Sequence, residues 1–174
     1  MTEQARNSGW ARFEHLAHQI IEGWALLGGV LLMIVALMNT WSVISLAALG
    51  FPVPGDFELV EIGVAVAAFS FLPYCQLKGA NVTADIFTAR VSRWWVALFT
   101  LLAAIVAAFF SVLLLWRMSD GMVSYVRYEE VTTILNIPLW IAFPPILASL
   151  ALLALAAALT LHDAIIDMRQ GIRD

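Results

Sequence analysis

Charge is the scarcest commodity in this sequence. Only 13% of the 174 residues are charged while 62% are hydrophobic, against about 25% and about 45–50% in an ordinary water-soluble domain. A soluble domain of this length cannot hide so much apolar surface, so the sequence points into a membrane. Cysteine is nearly absent as well. The single Cys75 excludes an internal disulfide, a Cys-x-x-Cys redox pair and a cysteine-built zinc site. Nine basic residues face 13 acidic ones with no basic tract, which argues against a nucleic-acid partner. Gly28–Gly29 neither follows a strand nor leads to a further Gly or a Lys-Ser/Thr pair, so no phosphate loop is present.

Apolar runs are what the sequence has instead. Apolar stretches cover residues 24–46, 57–76, 94–116 and 138–161, with Glu58 and Glu61 at the start of the second the only charges in them, and each is close to the roughly 20 residues a membrane-crossing helix needs. The expected fold is an all-α membrane protein with four transmembrane helices, occupying residues 1–174 as a single membrane domain. Trp94, Trp95 and Trp116 close the ends of the third run, where indole rings sit at the headgroup level. The first run is longer than a signal-peptide core and lacks a small-x-small cleavage site, so it is expected to stay in the mature chain.

Before the first run, Trp10, Phe13, Leu16, Ala17, Ile20 and Ile21 recur at helical spacing, with Arg12, Glu14, His15, His18 and Gln19 on the other face. This pattern predicts an N-terminal interfacial amphipathic helix over 10–21. A second interfacial helix is predicted after span two, over 82–93, from Val82, Ile86, Phe87 and Val91. The first would rest on membrane lipids, and the second on lipids or on a partner.

Seven of the nine basic residues fall in the N-terminal segment, the second connection and the C-terminal tail; the third connection holds only Arg117 and Arg127, and the first holds none. By the positive-inside rule both termini are expected to be cytoplasmic.

Chemistry finds little to work with. None of the four runs carries a charge at mid-depth, the place where ion paths and proton relays put theirs. Asn39 and Thr40 are the most polar pair expected to be buried, and Ser70, Thr100 and Ser111 are able to bond the preceding turn of their own helices. Glu58 and Glu61 share a face at the start of the second span, where the helix macrodipole favours carboxylates. No catalytic constellation, cofactor site or metal site emerges. The competing reading is a small four-helix membrane cytochrome or quinone-linked anchor, with His18 and His162 as haem ligands. Both histidines, and His15 one turn earlier, lie outside the runs that would shield haem from water.

Small residues recur by fours at Gly63–Ala67, Ala103–Ala107, Ala104–Ala108 and Ala154–Ala158, a spacing that lets helices approach closely in lipid. Pro73 and the pair Pro144–Pro145 are expected to bend their helices.

Around the second span the residues become specific. Pro54-Gly55-Asp56-Phe57-Glu58-Leu59-Val60-Glu61 leads in, and Tyr74-Cys75-Gln76-Leu77-Lys78-Gly79-Ala80-Asn81-Val82-Thr83-Ala84-Asp85 leads out; Glu129-Glu130-Val131-Thr132-Thr133-Ile134-Leu135-Asn136-Ile137-Pro138-Leu139-Trp140 precedes and opens the fourth span. These segments, with the number and order of spans, resemble the small membrane subunit, the four-span Q-type permease component, of tripartite ATP-independent periplasmic (TRAP) transporters. Asn81 stands where many members have His, Ala84 where a larger aliphatic residue is usual, and Phe57 where Trp is common.

The resemblance implies a non-enzymatic transport protein of the bacterial inner membrane. A periplasmic solute-binding protein would deliver an organic acid or similar solute, and a large membrane subunit would carry it by sodium-coupled symport. The small subunit would pack against the large one. Glu58, Glu61, Lys78, Asn81 and Asp85 are the expected contacts with that subunit, which is expected to be a separate chain because only 13 residues follow the fourth run.

Overall fold

Four long helices follow one another in the computed structural model, which describes the backbone of residues 2–78 and 93–171 and the side chains of residues 12–78 and 101–165. They are α1 (Thr2–Leu49), α2 (Asp56–Leu77), α3 (Arg93–Arg127) and α4 (Phe143–Gly171), the last preceded by a 3-10 turn at Leu139–Ala142. All four are long and apolar enough to cross a membrane. Among the described residues there is no strand, only an isolated bridge between Val131 and Pro138.

Three boundaries differ from the sequence expectation. The segment 10–21 is helical but forms no separate element, because α1 runs without a break for 48 residues, about 72 Å at the helical rise. Helix α3 does not stop at Trp116 but continues through Arg117 and Asp120 to Arg127, so the connection that follows is shorter than the charges suggested. The pair Pro144–Pro145 lies in the first turn of α4, where a missing N–H would have had no partner in any case; it opens a helix and interrupts none. Pro73 does lie inside α2, buried. The second interfacial helix expected over 82–93 falls essentially outside the described residues.

The helices form a row. α2 packs against both α1 and α4, α1 also touches α4 where Trp24 bonds Ser149, α4 packs against α3, and among the described residues α3 has no substantial contact with α1 or α2. The layer is therefore open, with α1 and α3 at its edges. Where α1 meets α2, a Cβ on Gly28 would come within 2.6 Å of the Ser70 Cβ, and Gly63 lies against the Val35 side chain. Ala67 between them is fully buried, so the Gly63–Ala67 pair does line a close helix contact. Among the described residues the buried small residues of α3 are Ala104 and Ser111, and those of α4 are Ser149, Ala156, Ala157 and Ala164. Ala103 and Ala158, from the pairs picked out by spacing, are exposed. Val66, Ile146, Leu150 and Leu153 make the core, joined by Leu31, Phe69, Leu114, Leu115 and Met118.

Asn39 and Thr40 correct an expectation, since both are exposed. The Thr40 hydroxyl donates to the Ala36 carbonyl at 2.8 Å, so its polarity is answered within its own helix and calls for no burial.

Candidate functional site

Polar side chains collect at the two ends of the α1–α2 pair. At one end Lys78 Nζ lies 3.2 Å from Glu22 Oε1 and 5.5 Å from the centre of the Tyr74 ring. Nearby, Gln76 Nε2 donates to Thr160 Oγ1 at 3.1 Å, tying α2 to α4. At the other end Ser42 Oγ donates to Asp56 Oδ2 at 2.6 Å and accepts the Val53 N–H at 3.0 Å. Glu22 and Ser42 are 20 positions apart on α1, which is about 30 Å of helix and matches the hydrocarbon thickness of a bilayer. The two polar layers bracket an apolar slab of membrane width.

The Asp56 end is held by its connections. Gly50 (φ 83°) and Gly55 (φ 72°) take left-handed conformations that side chains with a Cβ adopt at a cost. Asp56 Oδ1 accepts the Phe57 N–H at 2.8 Å, and Ser45 Oγ donates to the Phe51 carbonyl at 3.0 Å. Glu58 reaches across to the α3–α4 connection, where its two carboxylate oxygens accept the N–H groups of Ile134 at 2.6 Å and Leu135 at 3.0 Å. The Leu135 side chain sits against Gly55. Thr132 organises that connection: its N–H donates to the Ile137 carbonyl at 2.9 Å, and its hydroxyl accepts the Ile137 N–H at 3.0 Å. Asn136, at φ 53°, makes the tight reversal between them.

This geometry gives the five residues chosen from the sequence different stations. Glu58 links two connections of its own chain, and a carboxylate holding two backbone N–H groups is poorly placed to act as a base. Glu61 is exposed and bonds nothing among the described residues. Lys78 pairs with Glu22 across α1 and α2. Asn81 and Asp85 lie outside the described residues. The sequence reading did not find Ser42, Glu22 or the link from Trp24 Nε1 to Ser149 Oγ at 2.9 Å, because each depends on which helices are neighbours.

One further polar feature was readable and passed over. Arg117, Asp120, Ser124 and Arg127 recur at helical spacing on α3 and are all exposed. With Gly121 and Val123 they line a groove of about 410 Å³. Among the described residues no three metal-ligating side chains come together.

Residues 35–166, three quarters of the chain, match the family model described as tripartite ATP-independent periplasmic transporters, DctQ component. No curated protein and no solved structure matches.

Proposed function

This chain belongs to the DctQ component family of tripartite ATP-independent periplasmic transporters, and from that premise we propose that it is a scaffold which holds a separate large membrane subunit in the bilayer and carries no solute itself. The family is a transporter component, a small permease subunit, and not an enzyme; the chain is a multi-pass membrane protein. In the proposed arrangement the large subunit moves sodium and an organic acid or similar solute that a periplasmic binding protein delivers.

The observation that carries this reading is the inventory of buried polar residues. Ser42, Ser45, Ser70, Ser111, Thr132 and Ser149 are the buried polar side chains among the described residues. Their hydroxyls bond Asp56, backbone carbonyls or the Ile137 N–H and receive the N–H groups of Val53 and Trp24. A sodium ion or a carboxylate crossing a medium of low dielectric needs several converging oxygens or a paired charge. Among the described residues the interior of the four-helix row supplies neither.

The bias of basic residues supports an inner-membrane orientation with both termini cytoplasmic and the Asp56 end toward the periplasm. Glu61, Asn81 and Asp85 are kept as proposed contacts of the large subunit, while Glu58 and Lys78 first serve links within the chain.

Reconstitution tests the scaffold role. In liposomes this chain and the binding protein alone should give no sodium-dependent uptake, and adding the cognate large subunit should restore it. Uptake by the small chain alone, or full uptake by the large subunit without it, would refute the proposal.

A further inference from the structure

Charged side chains at membrane depth nearly always face protein or a water-filled cavity, because hydrocarbon cannot solvate them. On α3 two such residues face away from their own chain. Met118 packs against the core cluster of Val66, Ile146, Leu150 and Leu153. Val66 is ten positions from Asp56 and twelve from Lys78, which sets that cluster near the middle of the slab. Arg117 and Asp120 flank Met118, and Gly121 beside them lies against Phe143, the first residue of α4, so they lie inside the slab, about one to two helical turns from its Asp56 face.

Both are nevertheless exposed, as are Ser124 and Arg127 above them. Steps of three, four and three residues keep all four on one helical face, and they line one groove of about 410 Å³. α4 covers the opposite side of α3, where Ala104 and Ser111 are buried. Arg117 and Asp120 form no ion pair with each other. An arginine is long enough to reach toward headgroups from this depth. The short Asp120 side chain is not, and it requires a donor beside it.

The other edge of the row carries no charged side chain between Glu22 and Ser42, its exposed polar residues there being Asn39 and Thr40. There α1 exposes Leu26, Leu27, Val30, Met33, Ile34 and Leu37, a surface that lipid chains cover without loss.

We propose that the α3 edge is the seam to the large membrane subunit, whose facing helix carries a carboxylate opposite the arginines and a hydrogen-bond donor opposite Asp120, while the α1 edge faces lipid. This rests on the scaffold reading above. A second copy of this chain fits poorly. In a parallel two-fold pair residues of equal height meet, which sets Arg127 against Arg127. A heterologous partner avoids that repulsion.

The test uses this chain co-expressed with its large subunit, with a photo-crosslinking residue replacing Val123 on the α3 edge or Met33 on the α1 edge. Val123, 57% exposed, should yield an adduct with the large subunit, and Met33 should not. In parallel, Arg117→Leu and Asp120→Leu should lower recovery of the large subunit by about three- to thirty-fold, the range typical of interhelical polar contacts in membranes, with Arg117→Lys retaining more. Adducts from Met33 instead of Val123, adducts from Val123 to a second copy of this chain, or unchanged recovery in both leucine variants would overturn the seam and leave the scaffold reading standing. Failure of the wild-type chain to recover any large subunit would instead remove that reading.

Discussion

Ser42 holds more of the structure together than its size suggests. It is 1% exposed, and its one hydroxyl gives a hydrogen bond to Asp56 and takes one from Val53. Ser42→Ala leaves a backbone N–H and a carboxylate oxygen without this partner at the membrane boundary, a loss worth about 1–3 kcal/mol. Its melting temperature in detergent should fall clearly below that of the wild type. Thr40→Ala is the matched control, because that hydroxyl bonds only its own helix, and its effect should stay within about 0.5 kcal/mol. Little of this was legible in the sequence. A serine reads the same whether it bonds its own preceding turn, as Ser70 does, or a residue 14 positions away, as Ser42 does. Glu58 teaches the same lesson, since a carboxylate in a first helical turn had a sufficient local explanation in the helix dipole. Its long-range role, holding two N–H groups in the α3–α4 connection, came only with the fold.

At the level of helices, hydropathy made the spans visible because lipid imposes a length and an apolar character on each of them. Their ends were less visible. A helix end in water is announced by charge, so Arg117 and Asp120 looked like the start of a connection. In the folded chain the same residues continue α3, whose other face has a core to pack on. Contacts between helices offer a sharper experiment on α1. Gly28 presses on Ser70, whereas Gly23 has nothing within 4 Å of where a Cβ would stand. Replacing a helical Gly by Ala normally stabilises by roughly 0.5–1 kcal/mol. Gly23→Ala should therefore leave the melting temperature unchanged or raise it, while Gly28→Ala, forcing α1 and α2 apart, should lower it.

For the whole molecule, the sequence indicated membrane residence, the number of spans and the family. It did not indicate the order α1–α2–α4–α3 in the row, since adjacency in lipid depends on shape and small-residue fit. Several alanine pairs looked equally suited to the task. Sidedness is open to direct measurement in a Cys75→Ala background. Phe51→Cys and Glu130→Cys should react with an impermeant thiol reagent added to intact cells, and Gly171→Cys should react only after the membrane is opened. Labelling of Gly171→Cys in intact cells, with Phe51→Cys protected, would reverse the orientation.

The unbroken course of α1 has a mechanical consequence. Only the stretch from Glu22 to Ser42 spans the slab, so the twenty residues before Glu22 add about 30 Å of helix beyond it. A rod without a joint turns with its embedded part. If the row leans by about 10° as a partner moves, the tip of that rod sweeps about 5 Å. The amino-terminal two fifths of α1 is thus a lever arm, magnifying small inclinations of the layer at a point well clear of the bilayer core.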